Sequence, residues 1–271
     1  MAPATLHGLA GKRIALTRPS GQVGDFAEVV LANGGIPVVR PAIRIEEVES
    51  TEPAGDSWSG KRHEWVVFTS ANAVSAFHRA LGRLGLDPAR QITGRIAAVG
   101  QATAARLEEC FRSADLVSSG ESAESLAREM GNVANARVLF PRGELAMTEL
   151  PRALTSMGAT LDSPVLYRTV PSESAATLAV EWESGLLDAV LFASPSAVRA
   201  VAAALDSTKM NSQAVRNTQV FCLGESTARA ARAAGFAVSA VAKKSTQEGL
   251  LETAAQWFEN DQGKRMRIPQ R

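Results

Sequence analysis

A constant offset of 124 residues relates the two halves of this sequence, and it constrains the fold more than any other feature. The run VVFTSANAV at 66–74 returns as VLFASPSAV at 190–198. Two other segments return at the same offset: GQATA at 100–104 as GESTA at 224–228, and LTRP at 16–19 as FPRG at 140–143. Because one offset relates three separated segments, we interpret the chain as two copies of one α/β unit.

The composition is that of a globular protein without a strong charge bias. A length of 271 residues fits one large or two ordinary domains, and the repeat favours two. Hydrophobic residues make up 45% of the chain and the net charge is +1, so no long-range field favours nucleic acid or a membrane as partner. No apolar run approaches the roughly 20 residues that span a bilayer, and residues 1–9 show no secretory signal. We therefore expect a cytoplasmic monomer with no nucleic-acid and no membrane partner.

Short apolar strands alternate with helical stretches, which predicts parallel sheets covered by helices. Strands are predicted at 13–17, 36–39, 65–68, 95–99, 137–140, 165–170, 188–192, 219–223 and 237–241. Helices are predicted at 25–32, 73–84, 103–110, 123–130, 149–157, 197–205, 227–234 and 246–258.

Three stretches lie outside this alternation. The polar stretch 46–61 contains proline and glycine and is predicted to be an exposed connection that interrupts the first unit. Segments 40–44 and 163–168 each place a proline before or within an extended run, and they are equivalent by the repeat, which suits two antiparallel crossovers between domains. The basic segment 263–271 is expected to be a frayed terminus rather than a nucleic-acid arm.

Small hydroxyl residues and glycines recur where predicted strands lead into predicted helices. Such residues are also the usual N-caps of any helix, so a single turn carries little functional information. In open parallel sheets, however, ligands bind beyond the carboxyl ends of the strands, where free backbone N–H groups favour anions. The turns lie at 69–72, 100–103, 118–122, 142–143, 194–196, 224–227 and 244–246. Together they predict a ligand with several carboxylates or phosphates.

Other catalytic patterns are missing from the sequence. Cys110 and Cys222 have neither metal-ligand spacing nor a disulfide framework, and we expect two reduced thiols. His7, His63 and His78 lack metal-ligand spacing and are expected on the surface or in packing. No glycine-rich phosphate loop or nucleophile elbow follows a strand. The sequence therefore indicates no metal, nucleotide or nicotinamide cofactor.

The ordered set of turns resembles the uroporphyrinogen-III synthase family. The motifs are LTRP at 16–19, FTSANAV at 68–74, VGQATA at 99–104, VLYRTV at 165–170, FASPS at 192–196 and LGESTA at 223–228. Each motif alone is unspecific, whereas their order and spacing are specific, and the resemblance covers residues 11–259.

The resemblance implies a fold of two similar flavodoxin-like or Rossmann-like domains. A two-stranded connector would join them, and the cleft between them would hold the active site. The implied division is 11–40 with 171–259 as a discontinuous first domain, 44–166 as the second, 41–43 and 167–170 as connectors, and 260–271 as a basic tail.

The resemblance also implies a reaction. The family closes the linear tetrapyrrole hydroxymethylbilane to uroporphyrinogen III, with loss of water and inversion of the last ring, without a cofactor. The eight carboxylates of that substrate fit an anion-receiving cleft. A transient contact with the enzyme that forms hydroxymethylbilane is a further expectation. The alternative is a non-catalytic tetrapyrrole-binding or regulatory module on the same fold.

Tyr167 is the main catalytic candidate that the resemblance implies. It is the single tyrosine of the chain, and its partner by the repeat is Ile43, so the phenol breaks the internal symmetry. In the family this tyrosine assists departure of the hydroxyl group as a proton or hydrogen-bond donor. The alternative is a ring that packs between the domains.

The resemblance assigns further residues to the site. Thr103 and Thr227 are equivalent by the repeat and are implied to be catalytic hydroxyls that face the cleft. The implied substrate-binding residues are Arg18, Thr69, Ser70, Asn72, Arg142, Ser194 and Ser196. For the two arginines a surface ion pair is an equal alternative. Met147 stands where the family often has an arginine.

Overall fold

The computed structural model describes residues 6–19, 24–48, 63–118, 123–145, 149–205 and 212–266. The strands are β1 Arg13–Leu16, β2 Ile36–Val39, β3 Ile43–Glu47, β4 Trp65–Phe68, β5 Arg95–Val99, β6 Leu116–Ser118, β7 Arg137–Leu139, β8 Arg142–Gly143, β9 Thr160–Asp162, β10 Val165–Pro171, β11 Ala189–Phe192, β12 Gln219–Cys222 and β13 Val238–Val241. The helices are α1 Gly24–Ala32, α2 Ala71–Arg83, α3 Pro88–Gln91, α4 Gln101–Cys110, α5 Ala123–Glu129, α6 Glu149–Ser156, α7 Glu173–Glu183, α8 Pro195–Ala204, α9 Gln213–Asn217, α10 Glu225–Ala233 and α11 Gln247–Met266, after a 3-10 turn at His7–Leu9.

Two five-stranded parallel sheets carry the fold. One has the strand order β13-β12-β11-β1-β2 and the other the order β6-β5-β4-β7-β9. Every strand pair within them is parallel, as the alternation of strands and helices predicted. Their central strands are buried on both faces, because helices cover the sheets on both sides.

The offset of 124 residues maps one sheet onto the other strand by strand. It takes β1 and β2 to β7 and β9, and β4 and β5 to β11 and β12, so the two strand orders are the same. It also preserves register, since Ile14 pairs with Ala189 and Val138 pairs with Trp65. The repeat in the sequence is therefore a repeat of topology and register.

The copies in the sequence do not coincide with the compact units of the structure. The first unit contains the residues up to Arg44 and those from Val170 onward, and the second unit is Ile45–Thr169. The first unit thus takes β1 and β2 from one copy and β11 to β13 from the other, and the second unit takes the complementary strands.

Each unit has a hydrophobic core on both faces of its sheet. In β1, Ala15 packs in one cluster, and Ile14 and Leu16 pack in another. In β4, Val66 and Phe68 are separated in the same way from Trp65 and Val67. Because successive side chains of a strand point to opposite faces, this division places one cluster on each side of each sheet.

Strands β3 and β10 lie where the chain crosses from one unit to the other. A three-stranded sheet has the order β3-β10-β8. Val48 N donates to Leu166 O, and Ser172 N donates to Ala42 O. The later residue of the β3 segment therefore pairs with the earlier residue of the β10 segment, which shows that the two strands are antiparallel. Strands β8 and β10 are parallel.

The predicted strands are all present, with ends that differ from the prediction by at most one residue. Most predicted helices begin one or two residues too late, because the prediction left out the first turn after each cap. Strands β6, β8 and β9 and helices α3, α7 and α9 were not predicted, and β3 was expected only as an extended run within 40–44. The short strands have few residues to show a periodic pattern, and neighbouring strands supply most of their stability.

The expectation of a frayed basic segment at 263–271 is wrong at its start, since helix α11 continues to Met266. The helix rests on residues such as Leu250, Leu251 and Ala254, which are buried in a core of the first unit, so its early turns support the later ones. Met147 and residues 49–62 of the predicted polar connection lie outside the described residues.

Candidate active site

Tyr167 lies in the middle of β10, and its side chain is largely enclosed by protein. The residue is 9% exposed and belongs to the hydrophobic cluster of the second unit that contains Phe68 and Leu166. Its hydroxyl oxygen Oη lies 3.0 Å from Ser70 Oγ, a residue 97 positions earlier in the chain. The phenol is therefore packed along its ring and hydrogen-bonded at its polar end.

Ser70 is the N-cap of α2 as well as the partner of the phenol. Its backbone is extended, and its Oγ accepts a hydrogen bond from Ala73 N at 3.1 Å. This is the usual way in which serine satisfies a free N–H group at a helix start. The equivalent Ser194 caps α8 in the same manner, with Ala197 N at 3.2 Å.

Gly143 forms the surface on which the Tyr167 ring rests. It pairs with Tyr167 in the sheet, and Glu144 N donates to Tyr167 O at 2.9 Å. A Cβ atom at Gly143 would lie 2.8 Å from two ring carbons of Tyr167 and 3.1 Å from its hydroxyl oxygen. Only glycine leaves room for the ring at this position. The sequence placed Gly143 in one of the predicted ligand-binding turns, at 142–143, and gave no sign of its contact with the Tyr167 ring.

The environment of Tyr167 keeps its phenol protonated. Burial raises the pKa of Tyr167 above its ordinary value of 10.0, and the hydrogen bond with Ser70 lowers it by a smaller amount. Burial acts in this direction because it disfavours the charged phenolate. At neutral pH the group is a neutral hydroxyl that can donate a hydrogen bond.

Thr103 and Thr227 occupy the first turns of α4 and α10 and are almost fully buried. They are 4% and 2% exposed. Each helix follows a glycine cap, Gly100 and Gly224, and Gly100 has a positive φ of 76°, which only glycine adopts readily. Such burial is typical of residues that pack against the protein interior at the start of a helix. The catalytic roles that the resemblance implies for them stay predictions.

Arg18 is a partly desolvated cation at the end of β1. Burial lowers the pKa of its guanidinium, and the nearby carboxylate of Glu248 raises it. Within the part of the chain that the structure describes, the guanidinium has neither a hydrogen bond nor an ion pair. An arginine in such surroundings is suited to an anionic group, since its planar fork binds carboxylates well.

Arg142 is held by its own loop. Its Nη1 donates to Gly143 O at 3.2 Å and to Glu144 O at 3.4 Å. It makes no ion pair with a described residue. The described residues therefore show no surface ion pair for Arg18 or for Arg142.

The remaining predicted binding residues lie half-buried at the carboxyl ends of β4 and β11. They are Thr69, Asn72 and Ser196. Ser196 Oγ accepts a hydrogen bond from Arg199 Nη2 at 3.3 Å. Of the predicted set, the structure brings Ser70 and Tyr167 into direct contact, and they define the candidate site in the second unit.

The described ranges contain neither a metal-binding cluster nor a membrane-spanning helix. Within them, no group of three or more His, Cys, Asp or Glu residues is arranged to hold a metal ion. In the same residues, no helix combines the length and the apolar character needed to cross a membrane. His63 is buried, and its Nε2 lies 2.7 Å from Asp162 Oδ2, so it serves packing and local pairing.

The two similar parallel sheets define a two-unit α/β protein. Its candidate ligand site lies at the carboxyl ends of the strands, where capped helices begin and the single tyrosine is enclosed. Residues 24–252 match the family model described as uroporphyrinogen-III synthase HemD. Because that match covers most of the sequence, the chain belongs to the uroporphyrinogen-III synthase family.

Relatives and solved structures agree with this family. The porphyrin biosynthesis protein HemD of Ruminiclostridium josui is 26% identical over 250 residues, which are 90% of this chain and 48% of that protein. This chain therefore spans about half the length of that relative. A protein of Methanothermobacter thermautotrophicus, named as a candidate uroporphyrinogen-III synthase, is 28% identical over 197 residues, covering 68% of this chain and 74% of that protein.

Two crystal structures share the fold. A mutant uroporphyrinogen III synthase from Thermus thermophilus has a TM-score of 0.65 and 20% identity, and the match covers 94% of this chain and 100% of that chain. The uroporphyrinogen-III synthetase of Helicobacter pylori has a TM-score of 0.60 and 17% identity over 91% of this chain and 99% of that chain. At these identities the likeness establishes the α/β fold with helix-flanked parallel sheets.

Proposed function

We propose that this chain is a uroporphyrinogen-III synthase, which closes hydroxymethylbilane to uroporphyrinogen III with loss of water and inversion of the last ring. Membership of the family supports this proposal. The observation in the site that carries it is the enclosed, protonated Tyr167, whose hydroxyl is held 3.0 Å from Ser70 Oγ.

The chemistry proposed for Tyr167 is hydrogen-bond or proton donation to the departing hydroxyl group. An electron-rich pyrrole expels that group with modest help, so a neutral phenol is a sufficient acid. The larger task is to hold one conformer of the substrate through a spiro intermediate and to prevent direct closure. That task needs orientation and preorganised electrostatics rather than a nucleophile.

The proposed substrate contacts are the polar turns of both units. Their helix N-termini offer backbone N–H groups to carboxylates, and Arg18 and Arg142 offer positive charge. We further propose that β3 and β10 act as the connector and that Thr103 and Thr227 take part in the reaction. An acyclic substrate with many carboxylates would use such contacts on several rings at once.

The decisive assay uses freshly generated hydroxymethylbilane and the purified chain, with the product isomers separated by chromatography. We expect isomer III to be formed in excess over the enzyme-free control. Isomer I alone, at the rate of that control, would reject the synthase. Tight binding of the bilane without isomer III would instead favour the non-catalytic tetrapyrrole-binding module.

Arg18→Gln is expected to weaken substrate binding more than it slows the chemical step. The lost charge-assisted contact should raise KM about tenfold, which corresponds to ~1.4 kcal/mol, with little change in kcat. Steady-state kinetics with hydroxymethylbilane measure both constants. Arg90→Gln is the matched control, because the Arg90 side chain is 85% exposed. Equal effects of the two substitutions would remove Arg18 from the site.

A further inference from the structure

We propose that Ser70 and Gly143 are positioning residues for the phenol of Tyr167. In this arrangement the Ser70 hydroxyl donates its hydrogen to Tyr167 Oη, and the phenol keeps its own hydrogen for donation to a bound substrate. Gly143 lets the ring lie close to the backbone of β8. The catalytic consequence rests on the proposed function, whereas the arrangement itself rests on geometry.

The hydrogen bonds of Ser70 favour this direction of donation. A serine hydroxyl has one hydrogen to donate and two lone pairs that accept. One lone pair is occupied by Ala73 N–H at 3.1 Å. Among the described residues, Tyr167 Oη at 3.0 Å is the partner that remains for the hydrogen of Ser70. A hydroxyl that already accepts a hydrogen bond is also a stronger donor, because linked hydrogen bonds polarise one another.

Ser70 also stabilises the ionised form of the phenol. The bond with Ser70 lowers the pKa of Tyr167, although burial dominates and raises it. It does so because a phenolate has no hydrogen of its own, and Ser70 is then the donor.

Gly143 limits the movement of the ring. The ring lies so close to the backbone of β8 that a Cβ atom would come within 2.8 Å of its carbons Cε2 and Cζ. The Tyr167 backbone is fixed at the same place by its pairing with Gly143 and by the hydrogen bond from Glu144 N. A side chain at position 143 would therefore displace the ring and lengthen the contact between Tyr167 and Ser70.

The internal repeat separates the two roles of Ser70. Ser194 has the same cap geometry, with Ala197 N at 3.2 Å, but the repeat partner of Tyr167 is Ile43, which has no hydroxyl. Capping is thus common to both copies, and the contact with a phenol belongs to one. Ser194→Ala is consequently a matched control for Ser70→Ala, since both substitutions remove one cap.

The single tyrosine makes a direct test possible without any substrate. Ultraviolet absorbance during an alkaline titration reports the pKa of Tyr167 alone. Ser70→Ala should raise that pKa by about half a unit to one unit, as expected for one lost hydrogen bond. Gly143→Ala should shift it in either direction by displacing the ring, and Ser194→Ala should leave it unchanged. An unchanged or lowered pKa in Ser70→Ala would overturn the assignment, whether or not the chain is a synthase.

The catalytic arm of the test uses turnover of hydroxymethylbilane. Ser70→Ala should lower kcat about tenfold with little change in KM, and Ser70→Thr, which keeps the hydroxyl, should restore most of it. The double variant with Tyr167→Phe should be no slower than Tyr167→Phe alone, because Ser70 acts through the phenol. Additive losses would overturn the positioning role. A wild-type chain without isomer III would reject the proposed function and leave the titration to decide the geometry.

Discussion

Tyr167→Phe is expected to slow the formation of uroporphyrinogen III by about 100-fold or more, the usual contribution of a positioned proton donor. The substitution removes one oxygen atom and leaves the ring among its neighbours in the hydrophobic cluster of the second unit. Ser70 keeps its cap to Ala73, so the start of α2 should not change. Single-turnover formation of isomer III from hydroxymethylbilane measures the effect.

Two controls accompany this substitution. The melting temperature of Tyr167→Phe, followed by circular dichroism, should stay close to that of the wild type because packing is preserved. The far-ultraviolet spectrum should also be unchanged. Near-normal turnover with isomer III still the product would exclude Tyr167 from the mechanism, and loss of structure would show that its role is packing.

Trp182→Ala is expected to destabilise the first unit by ~3–5 kcal/mol, the range for loss of a large aromatic side chain from a core. Trp182 is 0% exposed and stacks on Phe236 with a centroid distance of 5.0 Å. Phe192, the last residue of β11, lies beside it at 6.3 Å. Removal of the indole therefore leaves a cavity next to the central strand of the sheet. Urea denaturation followed by circular dichroism gives the change in unfolding free energy.

Trp182→Phe is the matched control for this prediction. Among the described residues, Trp182 Nε1 has no hydrogen-bond partner, so losing that N–H group breaks no hydrogen bond. Phenylalanine also retains a ring that can stack on Phe236. The loss in Trp182→Phe should be less than half of that in Trp182→Ala. Equal losses would mean that a ring stacked on Phe236 does not account for the stability of this core.

The sequence was most informative about the sheets. Central strands such as β4 and β11 are short apolar runs bounded by turn residues, so their bounds were predicted to within one residue. Helix α7 was missed although Ser172 caps it. Its alanines and its buried tryptophan give no clear polar face, and its buried residues pack in a core of the first unit.

The sequence was less informative about the site. It singled out Tyr167 and Ser70 from separate motifs but assigned Ser70 to the substrate, whereas the structure pairs it with the phenol. The contact of Gly143 with the Tyr167 ring was missed because a glycine has no side chain whose chemistry could point to a ring. Thr103 and Thr227 were expected to face a cleft, which stays a prediction, and their near-complete burial depends on packing that a local pattern does not report.

By itself, the sequence determined that the chain is duplicated and where most of its strands and helices lie. Those properties follow from local strand and helix patterns, which recur wherever the residues recur. The resemblance already implied a discontinuous first domain, whereas only the tertiary structure decided that Ser70 and Tyr167 meet across 97 residues. The physical reason is that a contact between distant residues depends on how whole sheets and helices pack, and the spacing of residues along the chain does not encode that distance.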